Sequence, residues 1–126
     1  MVQKLIYFII ILLFLTCSPK IENKELKIHI GDLISQKNLN FDYVEGNVID
    51  CRNISIVYLK GDVSGDKNLN INVSVMKGNI LANNVKVHIL DGNILKGNNI
   101  KVNLLLGEDF TGKAEILKKI YKEIKF

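Results

Sequence analysis

Residues 60–81 (Lys-Gly-Asp-Val-Ser-Gly-Asp-Lys-Asn-Leu-Asn-Ile-Asn-Val-Ser-Val-Met-Lys-Gly-Asn-Ile-Leu) contain the unit that decides the fold. A triplet of Gly, Asp or Asn, and an aliphatic residue stands near each end. Between the triplets, apolar residues alternate with polar ones at Leu69, Ile71, Val73 and Val75. Strict alternation indicates a β-strand with one buried face. The stretch therefore predicts a turn, a strand, and the start of another copy of the same unit.

The same unit recurs along most of the 126-residue chain, with its glycines 14 to 17 residues apart. Five clear copies begin at Gly31-Asp32-Leu33, Gly46-Asn47-Val48, Gly61-Asp62-Val63, Gly78-Asn79-Ile80 and Gly92-Asn93-Ile94, and a looser sixth, with one residue inserted, begins at Gly107-Glu108-Asp109-Phe110. The other alternating sets are Leu39, Phe41 and Tyr43; Ile54, Ile56 and Tyr58; Val85, Val87 and Ile89; and Ile100, Val102 and Leu104. A recurring period of this length is typical of a solenoid.

Two architectures fit this period. In a parallel β-helix each repeat forms one coil, the glycines stack at a corner, and the Asp and Asn residues after them hydrogen-bond along the stack. An antiparallel meander is the alternative, but common hairpin turns place Gly after Asn or Asp and not before it. The sequence therefore predicts an all-β fold, a short single-domain parallel β-helix of about 15 residues per coil that spans residues 26–113.

Both ends of the repeat carry apolar side chains that a solenoid leaves open. Leu26, Ile28 and Ile30 form a partial strand before the first glycine, and the unpaired backbone of that strand predicts a self-association edge. Residues 114–126 have a helical period, which predicts an amphipathic helix that caps the last coil. The apolar stripe of this helix consists of Ile116, Leu117, Ile120, Tyr121 and Ile124. Contact of the same basic helix with an anionic membrane is the alternative.

Residues 1–16 have the features of a secretory signal peptide. Residues 5–15 are an uninterrupted apolar run, which suits a signal-peptide core and is short for a membrane-spanning helix. Cys17 follows directly in the stretch Phe14-Leu15-Thr16-Cys17, which resembles a bacterial lipoprotein signal in a relaxed form. That resemblance implies cleavage before Cys17 and a covalent lipid, with acyl chains such as palmitate, on this cysteine. An uncleaved anchor and a cytoplasmic protein are the alternatives.

The lipoprotein interpretation predicts where the protein is located. Residues 17–25 are polar and charge-rich, and we expect them to comprise the lipidated cysteine and a short tether. The predicted location is the cell membrane or the outer membrane, with the domain lipid-anchored and facing the periplasm or the surface. Once Cys17 is lipidated, Cys51 has no partner within the chain. It is then either an inert thiol or the source of an intermolecular disulfide.

The chain lacks the residue patterns of the common enzyme and metal-site classes. With Cys17 lipidated, the remaining Cys and the two His fall short of the four ligands of a zinc site, and the serines have no His at a recognisable spacing. Strand alternation places both His29 and His88 outward. Residues 61–66 are the nearest approach to a cation-binding loop, but a plain turn is the simpler interpretation. We therefore expect no catalytic residue, no metal and no cofactor apart from the lipid on Cys17.

Two non-enzymatic roles are favoured over an enzyme: a self-associating scaffold and a binding module. The formal net charge of +4 is small and scattered, which argues against a nucleic-acid partner. A binding module would use the polar outward side chains of the strands as a flat face for a protein or envelope ligand. These side chains are Asn70, Asn72, Lys86, His88, Lys101 and Asn103.

The repeat also resembles a known family. The stretches Lys60-Gly-Asp-Val-Ser-Gly-Asp-Lys-Asn-Leu, Lys77-Gly-Asn-Ile-Leu-Ala-Asn-Asn-Val-Lys-Val and Gly107-Glu-Asp-Phe-Thr-Gly look like the bactofilins, over about residues 28–113. The resemblance implies a short β-helix that polymerises end to end into cytoskeletal filaments without nucleotide. The chain departs from that family in its lipoprotein-type signal and in its shorter coils, and the predicted C-terminal helix would block one polymerising end.

Overall fold

In the computed structural model, which describes residues 25–120, the chain winds into a parallel β-solenoid of about six coils. Its twelve strands are β1 (Ile28–Ile30), β2 (Leu33–Ile34), β3 (Lys37–Glu45), β4 (Val48–Ile49), β5 (Arg52–Lys60), β6 (Val63–Gly65), β7 (Leu69–Lys77), β8 (Ile80–Ala82), β9 (Val85–Asp91), β10 (Ile94–Lys96), β11 (Ile100–Leu106) and β12 (Glu115–Ile120). The predicted all-β solenoid of about 15 residues per coil is confirmed.

Five successive coils each contribute one strand to each of two sheets, and β1 and β12 add to the longer sheet alone. The long strands form a seven-stranded sheet in the order β1-β3-β5-β7-β9-β11-β12, and the short strands form a five-stranded sheet in the order β10-β8-β6-β4-β2. Every strand pair within the described residues is parallel, which excludes the antiparallel meander. Equivalent residues of successive coils, which we call a column, therefore lie about 4.8 Å apart.

Four columns of apolar side chains point inward and make one continuous core. They are Leu33, Val48, Val63, Ile80 and Ile94; Leu39, Ile54, Ile71, Val85 and Ile100; Phe41, Ile56, Val73, Val87 and Val102; and Val44, Leu59, Met76, Leu90 and Leu105. Apart from the partly buried Leu39 and Phe41, these side chains are at most 3% exposed.

Strict alternation does not continue to the end of the long strands. The sequence predicts that Tyr43, Tyr58 and their equivalents Val75, Ile89 and Leu104 point inward, but all five are partly exposed. The buried residue is the one that follows each of these five positions. The alternation breaks because each long strand bends between its second and third inward residues. The two tyrosine rings stack on the outside, with centroids 5.6 Å apart and planes 7° apart.

The glycines stack at one corner, as predicted. Gly61 has φ +155°, and a Cβ added there would lie 1.9 Å from the carbonyl oxygen of Gly46. The residue after each glycine accepts a hydrogen bond, through its side-chain oxygen, from the backbone N–H of its equivalent in the next coil. These bonds are Asn47 to Asp32 at 2.8 Å, Asp62 to Asn47 at 3.0 Å, Asn79 to Asp62 at 2.7 Å, Asn93 to Asn79 at 3.0 Å and Glu108 to Asn93 at 3.0 Å.

A second column of asparagines marks another corner, and the sequence analysis missed it. Asn38, Asn53, Asn70, Asn84 and Asn99 all adopt left-handed backbone conformations, with φ between 52° and 63°. Asparagine tolerates this region better than other non-glycine residues. Hydrogen bonds of 2.8–2.9 Å between side-chain amides join Asn53 to Asn38, Asn70 to Asn53 and Asn99 to Asn84. The available signal was the Asn directly before the first inward residue of each long strand.

The C-terminal helix predicted for residues 114–126 is wrong where the structure describes it. Glu115–Ile120 forms β12, which pairs in parallel with β11. Pairing supplies hydrogen bonds along the whole strand, and this outweighs a helical period that covers few turns. Of the predicted stripe, Ile116 packs partly against the core, Leu117 is 75% exposed and Ile120 is 41% exposed. Tyr121 and Ile124 lie outside the described residues.

Candidate self-association surfaces

The N-terminal coil presents an open apolar end. β1 is the terminal strand of the seven-stranded sheet and β2 the terminal strand of the five-stranded sheet. Leu26, Ile28, Ile30 and Ile34 are 54–66% exposed there, although each is a large apolar side chain. The structure therefore places the predicted edge residues Leu26, Ile28 and Ile30 together at one end of the solenoid.

Among residues 25–120, no strand lies on one side of the β1 backbone. The carbonyl of Lys27 accepts from the N–H groups of Asp42 and Tyr43, and the N–H of Gly31 donates to the carbonyl of Glu45. These groups point toward β3. Since backbone groups of alternate residues point to opposite sides of a strand, the N–H and C=O groups of Ile28 and Ile30 point away from the solenoid. Such a free edge is a template for another strand.

The position of His29 differs from its prediction. Its register partner in β3 is Val44, which is fully buried, so His29 belongs to an inward column and not to the outer face. Its ring packs against Phe41 with a centroid distance of 5.6 Å, and Nε2 lies 3.3 Å from the carbonyl oxygen of Asp32. Ile28 and Ile30 take the outward positions instead. His29 therefore lies over the N-terminal end of the core.

The C-terminal coil closes the opposite end of the core with charged residues. Asp109 pairs with Ile94 and so occupies the inward column of Leu33, although the looser sixth copy of the repeat has Phe110 as its apolar residue. Phe110 is instead 65% exposed. Lys119 pairs with Leu105 and so occupies a second inward column. Its ammonium lies 2.7 Å from the carboxylate of Glu108, and its side chain is 28% exposed.

Hydrogen bonds hold the carboxylate of Asp109 in place. It accepts from the hydroxyl and backbone N–H of Thr111 and from the backbone N–H of Ala114 at 3.2 Å. Desolvation raises the pKa of this carboxyl, but the hydrogen bonds from Thr111, Ala114 and Gly112 outweigh that effect and lower the pKa below its usual value. Asp109 is therefore held in its charged form at the end of the core.

The outer face of the seven-stranded sheet forms a shallow groove of about 660 Å³. Five of the six residues proposed for a binding face line it: Asn72, Lys86, His88, Lys101 and Asn103. The sixth, Asn70, lies in the asparagine corner column. His88 is exposed, as predicted, and its Nδ1 lies 2.7 Å from the side-chain amide of Asn103. Lys101 forms an exposed ion pair with Glu115 at 3.8 Å.

Other chemistry-bearing residues are used in packing. Cys51 is fully buried, and its thiol lies 3.3 Å from the carbonyl oxygen of Leu33, which favours the inert thiol. In the turn of residues 61–66, the Asp62 carboxylate accepts a hydrogen bond from the backbone N–H of Asn79 within the corner column, and Asp66 is exposed. No cluster of three or more His, Cys, Asp or Glu residues that could hold a metal ion occurs between residues 25 and 120.

Comparisons of the chain with known proteins give no match to a protein-family model and no significant match to a curated protein or a solved structure. In the part of the chain that the structure describes, no helix is long and apolar enough to cross a bilayer. Cys17 lies outside the described residues.

Proposed function

We propose that this chain is a non-enzymatic structural lipoprotein, anchored to a membrane through a lipid on Cys17 and able to self-associate through its β-solenoid. The supporting observation is the N-terminal coil, where a free strand edge coincides with four exposed aliphatic side chains. Exposed aliphatic surface is unfavourable in water, and a second chain would bury it while pairing with the strand edge. The lipid anchor rests on the sequence of residues 1–17.

The bactofilin resemblance supports the scaffold class, since bactofilins are β-helix proteins that assemble end to end. The solenoid here shares the parallel coils and the apolar core that such assembly needs. The envelope is the proposed site of the scaffold, because the signal-like segment would export the chain.

Multi-angle light scattering of the native protein, purified from membranes in detergent, tests self-association. We expect a protein mass that rises above that of the monomer as the concentration increases, after the detergent contribution is subtracted. A monomer mass over the whole concentration range would refute the scaffold proposal. Ile28→Lys combined with Ile30→Lys should restore the monomer, and Leu117→Lys at the opposite end is the matched control.

A binding module is the second candidate function, and the groove on the outer face supports it. Lys86, Lys101 and His88 give one end of the groove cationic and hydrogen-bonding groups, whereas Asn40, Ser55 and Asn72 line the middle. This arrangement suits an extended polar ligand with acidic groups.

A solid-phase array of acidic and neutral glycans and peptides tests the binding module. We expect retention of acidic members that Lys86→Ala combined with Lys101→Ala reduces at least tenfold. Lys60→Ala combined with Lys77→Ala, on the neighbouring face, is the control. Retention that is equal in both double variants would remove this candidate.

A further inference from the structure

We propose that the solenoid associates through its N-terminal coil alone, as a closed two-fold dimer of this chain, because charged residues block the C-terminal coil. This inference rests on the proposed self-association and specifies its geometry. A dimer that uses one end of each chain is isologous and cannot grow into a filament.

The free edge of β1 is complementary to itself. If a two-fold axis passes beside His29, Ile28 of one chain lies opposite Ile30 of the second chain in an antiparallel pair. Both residues point their N–H and C=O groups away from β3, so each opposed pair exchanges two hydrogen bonds. The two symmetry-related pairs together satisfy all the free backbone groups of both residues.

The side chains are compatible with the same axis. Ile28 and Ile30 lie on the outward side and are 57% and 65% exposed, so the dimer would bring four isoleucines together across the junction. The two His29 rings would meet on the inward side and join the two cores. Glu25, Lys27 and Asp32 supply charges of both signs near this end, and no single-sign patch opposes contact.

The C-terminal coil is unsuited to continuing the stack. Two of its inward positions hold Asp109 and Lys119, and inward-pointing charges are a known protection of exposed strand edges. A head-to-tail junction in the register of the solenoid would bury the inward Lys119 against the next chain and would place Glu115 over Glu25. The first is unfavourable because it desolvates an ammonium, and the second because it opposes two carboxylates.

Native mass spectrometry of the protein purified from membranes, released from excess detergent, tests the stoichiometry. We expect monomers and dimers only. His29→Arg places two fixed positive charges at the axis and should reduce the dimer fraction at least tenfold, His29→Leu should preserve or increase it, and Leu117→Arg should leave it unchanged. Equal urea midpoints would show that the variants fold alike.

The remaining outcomes separate the two proposals. A continuous series of trimers and higher species would overturn the closed dimer while leaving self-association in place. A dimer that survives His29→Arg and is lost in Leu117→Arg would also overturn the N-terminal dimer while leaving self-association in place. Monomers at every concentration would overturn self-association itself, and with it this inference.

Cysteine cross-linking tests the symmetry directly. Because residue 29 lies at the axis, a His29→Cys chain should form a disulfide-linked dimer on mild oxidation. A Leu117→Cys chain should give no more cross-linked product than the parent, which carries only Cys17 and Cys51. Preferential cross-linking through residue 117 would contradict the proposed geometry.

Discussion

Stacked glycines fix one corner of the solenoid at the scale of single residues. At Gly61 both the backbone angle and the available space exclude a side chain, since an added Cβ would lie 1.9 Å from a carbonyl oxygen of the coil below. The obstacle is backbone, so no side-chain rotation relieves it. The Asp and Asn column beside the glycines then ties each coil to the next through side-chain oxygens.

We expect Gly61→Ala to destabilise the protein by about 2–4 kcal/mol, because strain and close contact act together. Gly112→Ala is the matched control. Gly112 has φ +68° but no atom within 4 Å of an added Cβ, so that variant should lose only about 1 kcal/mol. Urea unfolding followed by circular dichroism measures both losses. Equal losses would show that the contact with the neighbouring coil does not matter.

The sequence predicted the glycine column and the Asp and Asn column beside it, because the cause of each is local and repeated. A glycine followed by Asp or Asn at each copy identifies both the turn and its hydrogen bonds. It did not predict the inward position of Val44 and its equivalents, because the change of direction within the long strands depends on how the coil closes. His29 was misplaced for the same reason, since its inward position follows from its register with Val44.

At the scale of the elements, the two terminal strands of the seven-stranded sheet differ in what they expose. β1 exposes isoleucines on a free edge, whereas β12 exposes Leu117 and Ile120 but holds the charged Lys119 at an inward position. The sequence predicted the first of these edges. It mistook β12 for a helix, because Ile116, Leu117 and Ile120 fit a helical stripe and the availability of β11 as a partner is not a local property.

Removal of the inward charge of β12 should open a second association surface. We expect Lys119→Leu to add trimers and larger species to the dimer, because it replaces an inward charge by an apolar side chain. Glu108 is 45% exposed and remains solvated without its partner. Lys118→Leu is the matched control, since it makes the same change at an outward position. Sedimentation velocity in detergent measures the distribution. An unchanged distribution in Lys119→Leu would show that Lys119 does not block this end.

Asp109 should make the stability of the last coil depend on acid. Its pKa is lowered on folding, so its contribution to stability is complete above the usual carboxyl pKa of 3.8 and is lost as pH falls through the lower folded value. We expect Asp109→Asn to reduce the loss of stability between about pH 5 and pH 2. Asp66→Asn, at an exposed carboxyl, is the control. Urea midpoints across this range would contradict the account if the two variants matched.

At the scale of the whole molecule, the scaffold proposal combines a membrane anchor with an open coil end. The anchor depends on Cys17. We expect the intact mass of the native protein, purified from membranes, to equal that of residues 17–126 plus a lipid adduct. The unmodified mass of the full chain would contradict the lipoprotein assignment, and Cys17→Ser is the control that should abolish the adduct.

Much of the candidate interface was accessible from the sequence, since Leu26, Ile28 and Ile30 form a partial strand before the first glycine. The blocking residues were not, because Asp109 and Lys119 become inward only once the sixth coil is aligned with the fifth. Gly107 gave a usable signal, since Asp109 follows it at the offset at which Leu33 follows Gly31.

The central claim is that the free edge of β1 becomes paired when two chains associate. Hydrogen–deuterium exchange of the Ile28 and Ile30 amides in the native protein, measured at two concentrations that favour monomer and dimer, tests this most directly. The account predicts fast exchange when the chain is dilute and slow exchange when it is associated, with the amides of β7 slow throughout. Exchange that is fast at both concentrations would contradict the claim. Equally slow exchange at both would also contradict it, because the chain itself would then cover the edge.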